Sequence, residues 1–285
     1  MPDTSFFLSL VLQSALIPFG VALAVLAASR ALRLGASASA FAIAAGFLGA
    51  YFAILHGQWS PMPKVALDWL PWIAVAGLTG VIAIERIDRA PLRLAARLLL
   101  SVAVGAIVVW PALDSLGLAK AILSAGVTGV LIWLVWSYMA RVTASRPTPP
   151  LLLTVVAGGA ALALMLDSSQ SIGQLSGALA SVLAACVAFN LPRVRTAFSP
   201  AAAGVAVLVL GALLANAYVY ASFPTEYIAL LVGGLIADPV VDGLNRLRQR
   251  SGGAGSWVTA VVLTAIPAVV TIGLAVKAAA DSGGY

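Results

Sequence analysis

The chain is expected to be an all-α, polytopic transmembrane helix bundle of about ten spans, with both termini on the outer side. Three observations carry this expectation. Of its 285 residues 62% are hydrophobic and only 9% are charged, and the mean hydropathy is +1.05. A water-soluble domain carries about 25% charged residues, so too few polar side chains exist here to coat a wetted surface, and lipid must be the main solvent. The apolar residues come in runs of hydrocarbon length. The arginines cluster around alternate junctions between those runs.

In order, the runs cover roughly 6–28, 36–55, 69–86, 94–113, 118–140, 150–166, 172–190, 200–222, 225–243 and 256–279. A spanning helix needs about 20 mostly apolar residues. The first run is read as an uncleaved span, because Met1 to Ser5 lacks the positive region of a secretory signal and the run is long. It stops at Arg30 and Arg33. The second ends in the most distinctive loop, His56-Gly57-Gln58-Trp59-Ser60-Pro61-Met62-Pro63-Lys64, where two prolines stiffen the chain. That loop caps a cavity, docks a partner or simply turns the chain. The third run meets Glu85, Arg86, Asp88 and Arg89, and the fourth follows Arg93 and carries Arg97 in its first turn. The fifth ends at Arg141 and Arg146. The sixth is the shortest, and the seventh closes at Arg193 and Arg195. The ninth is interrupted by Gly233, Gly234, Asp238 and Pro239 before Arg246, Arg248 and Arg250.

Lysines Lys64, Lys120 and Lys277 sit at junctions of the other parity. Lys and Arg concentrate in cytoplasmic loops of membrane proteins, so the arginine side is read as the cytoplasm. Arginine's excess over lysine in an alanine-rich chain suggests a bacterial-type inner membrane. Every loop is short, so the chain is one integral membrane domain. A weak parallel repeat relates 36–113 to 200–279, through Gly80-Val81-Ile82-Ala83 with Asp88 and Gly234-Leu235-Ile236-Ala237 with Asp242.

Much chemistry is excluded. A single histidine rules out bis-histidine haem ligation and multi-histidine metal centres. The lone Cys186 forbids an intrachain disulfide and a thiolate cage. There is no P-loop pattern and no H-E-x-x-H. No catalytic residue, metal or cofactor is therefore assigned, and the net charge of +6 reads as membrane orientation rather than nucleic-acid binding.

The candidate solute or ion pathway consists of Asp238, Asp242, Asn216, Gln174 and Gln13. Asp238 is the deepest acid. Twelve residues from Glu226 at ~1.5 Å each place it about 18 Å inward, next to a proline and a glycine pair that let a helix break. Broken helices beside an acid build ion and substrate sites. The plainer reading pairs Asp238 and Asp242 with Arg246 at the interface, the three successive residues lying one helical turn apart. Glutamines and asparagines inside spans, Asn190 included, most simply join helices by hydrogen bonds. A second candidate set, Arg86, Arg89, Arg93, Arg246 and Arg248, suits lipid phosphates, whose oxygens match the guanidinium fork. The simpler account is a solvated ion-pair stripe of Glu85, Asp88, Arg89 and Arg93.

Three functions remain, in this order: a transporter or permease with a site at Asp238, a non-catalytic subunit or scaffold of a larger complex, and a lipid-phosphate-processing enzyme. Partners are membrane lipids, other membrane subunits or a second copy of the chain, and no nucleic acid.

Overall fold

The computed structural model describes residues 4–55, 57–143, 148–191, 193–235, 240 and 255–281. Among them the chain is helical with no strand. The first span is α1 (Thr4–Val11) and α2 (Ile17–Ala31), joined by a π turn at Leu12–Leu16. Then follow α3 (Ala38–Ile54), α4 (Trp69–Glu85), α5 (Ala90–Val109), the single turn α6 (Leu113–Leu116), α7 (Leu118–Thr143), α8 (Thr148–Asp167), α9 (Gln170–Phe189), α10 (Pro200–Tyr220), α11 (Thr225–Gly234) and α12 (Gly255–Asp281).

Nine helices among the described residues are long and apolar enough to cross a membrane, as expected of an integral membrane protein. The sixth run, short in the sequence, is a full 20-residue helix. The ninth run is described only as the ten residues of α11. Residues 236–239 and 241–254 lie outside the described set, and with them part of the second half of the expected repeat.

Helix starts follow local chemistry. Ser199 precedes Pro200, and its hydroxyl accepts the Ala202 N–H at 3.1 Å, satisfying one of the orphan donors at a helix N-terminus. Proline is favoured at the first helical position because its missing N–H costs nothing there. Ser169 caps α9 in the same way. Gly117, with φ of +76°, reverses the chain between α6 and α7.

The bundle is built around α10, of whose apolar window 83% is buried. It packs against α3, α4, α5, α7, α8 and α9. Helix α8 lies between α9 and α12, while α5 pairs with α7 and α2 with α3. The outer faces of α7 and α12 expose Leu123, Val127, Leu131, Val262, Ile266 and Val269. Apolar faces this broad mark contact with a membrane or with another protein rather than with water.

Contacts between helix ends show which junctions share a side. At one end, the Ser39 hydroxyl donates to the Ala197 carbonyl at 3.1 Å, and the Arg97 guanidinium lies 5.4 Å from the Trp136 ring centre. A Cβ at Gly204 would stand 2.7 Å from both Trp136 and Val81. At the other end, the Tyr51 hydroxyl donates to the Leu67 carbonyl at 3.1 Å and the Tyr220 hydroxyl to the Val108 carbonyl at 2.9 Å. The described members of four arginine clusters, Arg30/Arg33, Arg86–Arg97, Arg141 and Arg193/Arg195, thus gather at one end of the bundle.

Candidate functional site at the break in the first span

The first span is irregular where polar groups face it. Pro18 has no N–H, so the carbonyl four residues back, on Ser14, loses its helical partner. The ladder widens there, and the Ile17 N–H bonds the Leu12 carbonyl five residues earlier. The freed Ser14 carbonyl accepts instead from the Ser181 hydroxyl of α9 at 3.3 Å. The Ser14 hydroxyl donates to Leu10 at 2.6 Å. π turns of this kind recur at functional sites.

Close approach makes the arrangement possible. A Cβ at Gly177 would lie 3.9 Å from that of Ser14, and one at Gly46 would meet Val182 at 2.6 Å and the Pro18 carbonyl at 3.0 Å. Small residues let the first span, α3 and α9 nest closely. On α9, Gln174, Gly177 and Ser181 recur at helical spacing and form one stripe. Gln13 lies within the π turn and is half-buried, and Gln174 is buried. Two of the five expected pathway residues therefore stand on elements that pack against each other.

Asn216 does not belong to this pair. It is wholly buried on α10, and its amide nitrogen donates to the Ala212 carbonyl of its own helix at 2.9 Å. Its oxygen has no hydrogen-bond partner, so the expected role as glue between helices is absent at Asn216. The Ser176 hydroxyl is likewise buried without a partner. Asn190 is a second correction. Its amide nitrogen donates to Cys186, and its oxygen accepts the N–H groups of Arg195 and Thr196, each at 2.8 Å. It organises its own loop because it sits where α9 ends and the backbone needs partners. Asp238, Asp242, Arg246 and Arg248 lie outside the described residues, as does His56.

The arginine end departs from the expected stripe of Glu85, Asp88, Arg89 and Arg93. Glu85 pairs with Arg97, whose Nε and Nη2 donate to the two carboxylate oxygens at 3.0 and 2.8 Å. Arg86 and Arg89 are exposed. Arg93 is half-buried and donates to the Ile87 carbonyl at 3.3 Å. Sequence reasoning gave Arg97 no role. One signal was present: Arg97 lies two turns inside α5, four residues after Arg93 and amid apolar neighbours, where an unpaired guanidinium would be costly.

The loop before α4 is pinned. Buried Asp68 accepts the N–H groups of Lys64 and Val65 at 2.9 and 3.2 Å, and Trp59 packs edge-on against Phe52.

Among the described residues no three His, Cys, Asp or Glu side chains come together as a metal-binding group. Set against family models, curated proteins and solved structures, the chain matches none of them.

Proposed function

We propose that this chain is a multi-pass carrier, a permease of a bacterial-type inner membrane whose solute passes between the first span and α9. The π turn carries the reading. It begins four residues beyond Leu8, about 6 Å along the helix at ~1.5 Å per residue, and its opened backbone is bonded by Ser181, on the same α9 stripe as Gln174. A structural helix gains nothing from a broken ladder opposite polar side chains, whereas a carrier needs both a hinge and hydrogen-bonding groups that a solute can borrow. The unpartnered hydroxyl of Ser176 on α9 is a further group to which a passing solute could hydrogen-bond. Asp238 stays the acid best suited to ion coupling. With the arginine end in the cytoplasm, both termini lie on the periplasmic side.

A scaffold role is the second reading. The broad apolar faces of α7 and α12 favour it, since a partner helix or a second copy can cover them as well as lipid does. Lipid-phosphate chemistry at Arg86, Arg89 and Arg93 comes third.

The test is Gln174→Cys in a Cys186→Ala background, reacted with a membrane-impermeant thiol reagent from each side of sealed vesicles. A carrier gives labelling that depends on conformation and reaches Gln174→Cys from an aqueous side. A permanently unreactive thiol overturns the reading in favour of a scaffold.

A further inference from the structure

Helix α11 packs on α8 and α12 and stands away from α7 and α10. The gap is a cleft of about 540 Å³ lined by all three helices. Its floor is closed, because α7 and α10 touch where Gly211 meets Ile132. The cleft therefore opens sideways rather than through the bundle. Two properties describe what fits it. Leu123 and Val135 mark its two ends on α7, twelve residues or about 18 Å apart. That is close to the ~15 Å depth of one leaflet, half of a ~30 Å hydrocarbon core. The lining is also graded. Ser124, Thr128, Tyr218 and Thr225 line the half near the start of α7 and α11, and the described residues of the far half, among them Leu131, Val135, Val207 and Val232, are apolar.

Charges continue this gradient. Lys120 precedes Leu123 and Ser124 by three and four residues, so it extends their stripe beyond the polar end. Glu226 precedes Ala229 and Gly233 on α11 by three and seven residues, so it shares their stripe. Both are exposed, and they are not paired with each other.

We propose that the cleft seats one acyl chain of an amine-bearing zwitterionic phospholipid. Its phosphate lies toward Lys120, its ammonium toward Glu226 and its ester region at the hydroxyls of Tyr218 and Thr225. The chain's tail runs along the apolar half. An anionic headgroup would meet Glu226 unfavourably, and a choline cap offers no N–H to that carboxylate. The proposal is independent of the carrier reading, since the cleft and the π turn use different helices.

Gly233 supplies the test, because a Cβ there meets nothing within 4 Å. Gly233→Leu adds an apolar side chain on the cleft wall, at a position where its first carbon has free space. Full-length protein, delipidated in detergent, is titrated with phosphatidylethanolamine and with phosphatidylglycerol, and bound lipid is counted by native mass spectrometry. Wild type retains phosphatidylethanolamine in preference, Gly233→Leu lowers its retention at least fivefold with an unchanged melting temperature, and Lys120→Ala with Glu226→Ala abolishes the headgroup preference. Should Gly233→Leu fold poorly, Ala229→Phe blocks the same space from one turn earlier. Equal retention by the cleft-filled variant, a preference for phosphatidylglycerol, or a second copy of the chain in place of lipid overturns the proposal.

Discussion

Arg97 and Glu85 hold each other by a two-point ion pair across the turn from α4 to α5, with the guanidinium also lying over the face of Trp136. Both side chains are largely withdrawn from solvent, at 6% and 15% exposure. Removing one partner from such a pair leaves an uncompensated charge and costs about 3–5 kcal/mol, while replacing both with apolar groups is often neutral. Arg97→Leu is therefore expected to lower the unfolding midpoint in detergent sharply. Adding Glu85→Leu should recover most of the loss. A double variant as unstable as the single would contradict this account.

The π turn is open to a double-mutant cycle. Ser181→Ala removes the hydrogen bond to the Ser14 carbonyl and should cost about 1–3 kcal/mol, the penalty of an unsatisfied buried group. Pro18→Ala restores an N–H that can reach the same carbonyl and close a normal α-turn. In that background Ser181→Ala should be nearly silent. Independent, additive effects would show that the proline is not the cause of the break.

Helices α5 and α7 approach through two glycines. A Cβ at Gly129 would stand 2.6 Å from the Val102 Cα, and one at Gly105 would stand 2.5 Å from the Ala125 carbonyl oxygen. The obstacles are backbone, which cannot rotate aside. Gly129→Val is expected to destabilise by about 1–3 kcal/mol, the typical cost of overpacking. Disulfide trapping between cysteines introduced into α5 and α7 should slow in parallel. Unchanged trapping would mean that the helices absorb the methyls.

Asn190 ties three backbone groups around the end of α9. Asn190→Ala should raise proteolytic nicking in the segment 193–196 severalfold while leaving α9 and α10 intact. Asn190→Asp should behave better than alanine, because both paired N–H groups point at an oxygen that aspartate retains. An alanine variant with the nicking rate of wild type would sink this role.

The sequence by itself determined what depends on the solvent. Hydrocarbon cannot satisfy backbone groups, so runs of about 20 apolar residues must be helices, and nine of the ten expected runs are spanning-length helices among the described residues. The gathering of Arg30, Arg97, Arg141 and Arg195 at one end follows from the same alternation. Neighbour choice was beyond it. Lipid and protein interior are equally apolar, so a helix such as α10, buried on all sides, and one such as α7, largely facing outward, carry similar side chains. Only tertiary structure decided that α10 is the core, that Ser181 answers a carbonyl 167 residues earlier, that Glu85 takes Arg97 rather than a neighbour on its own stripe, and that α11 stands off far enough to leave a cleft. Each of these is a distance between helices. Packing geometry and the few polar groups that must find partners set such distances, whereas hydrophobic length does not.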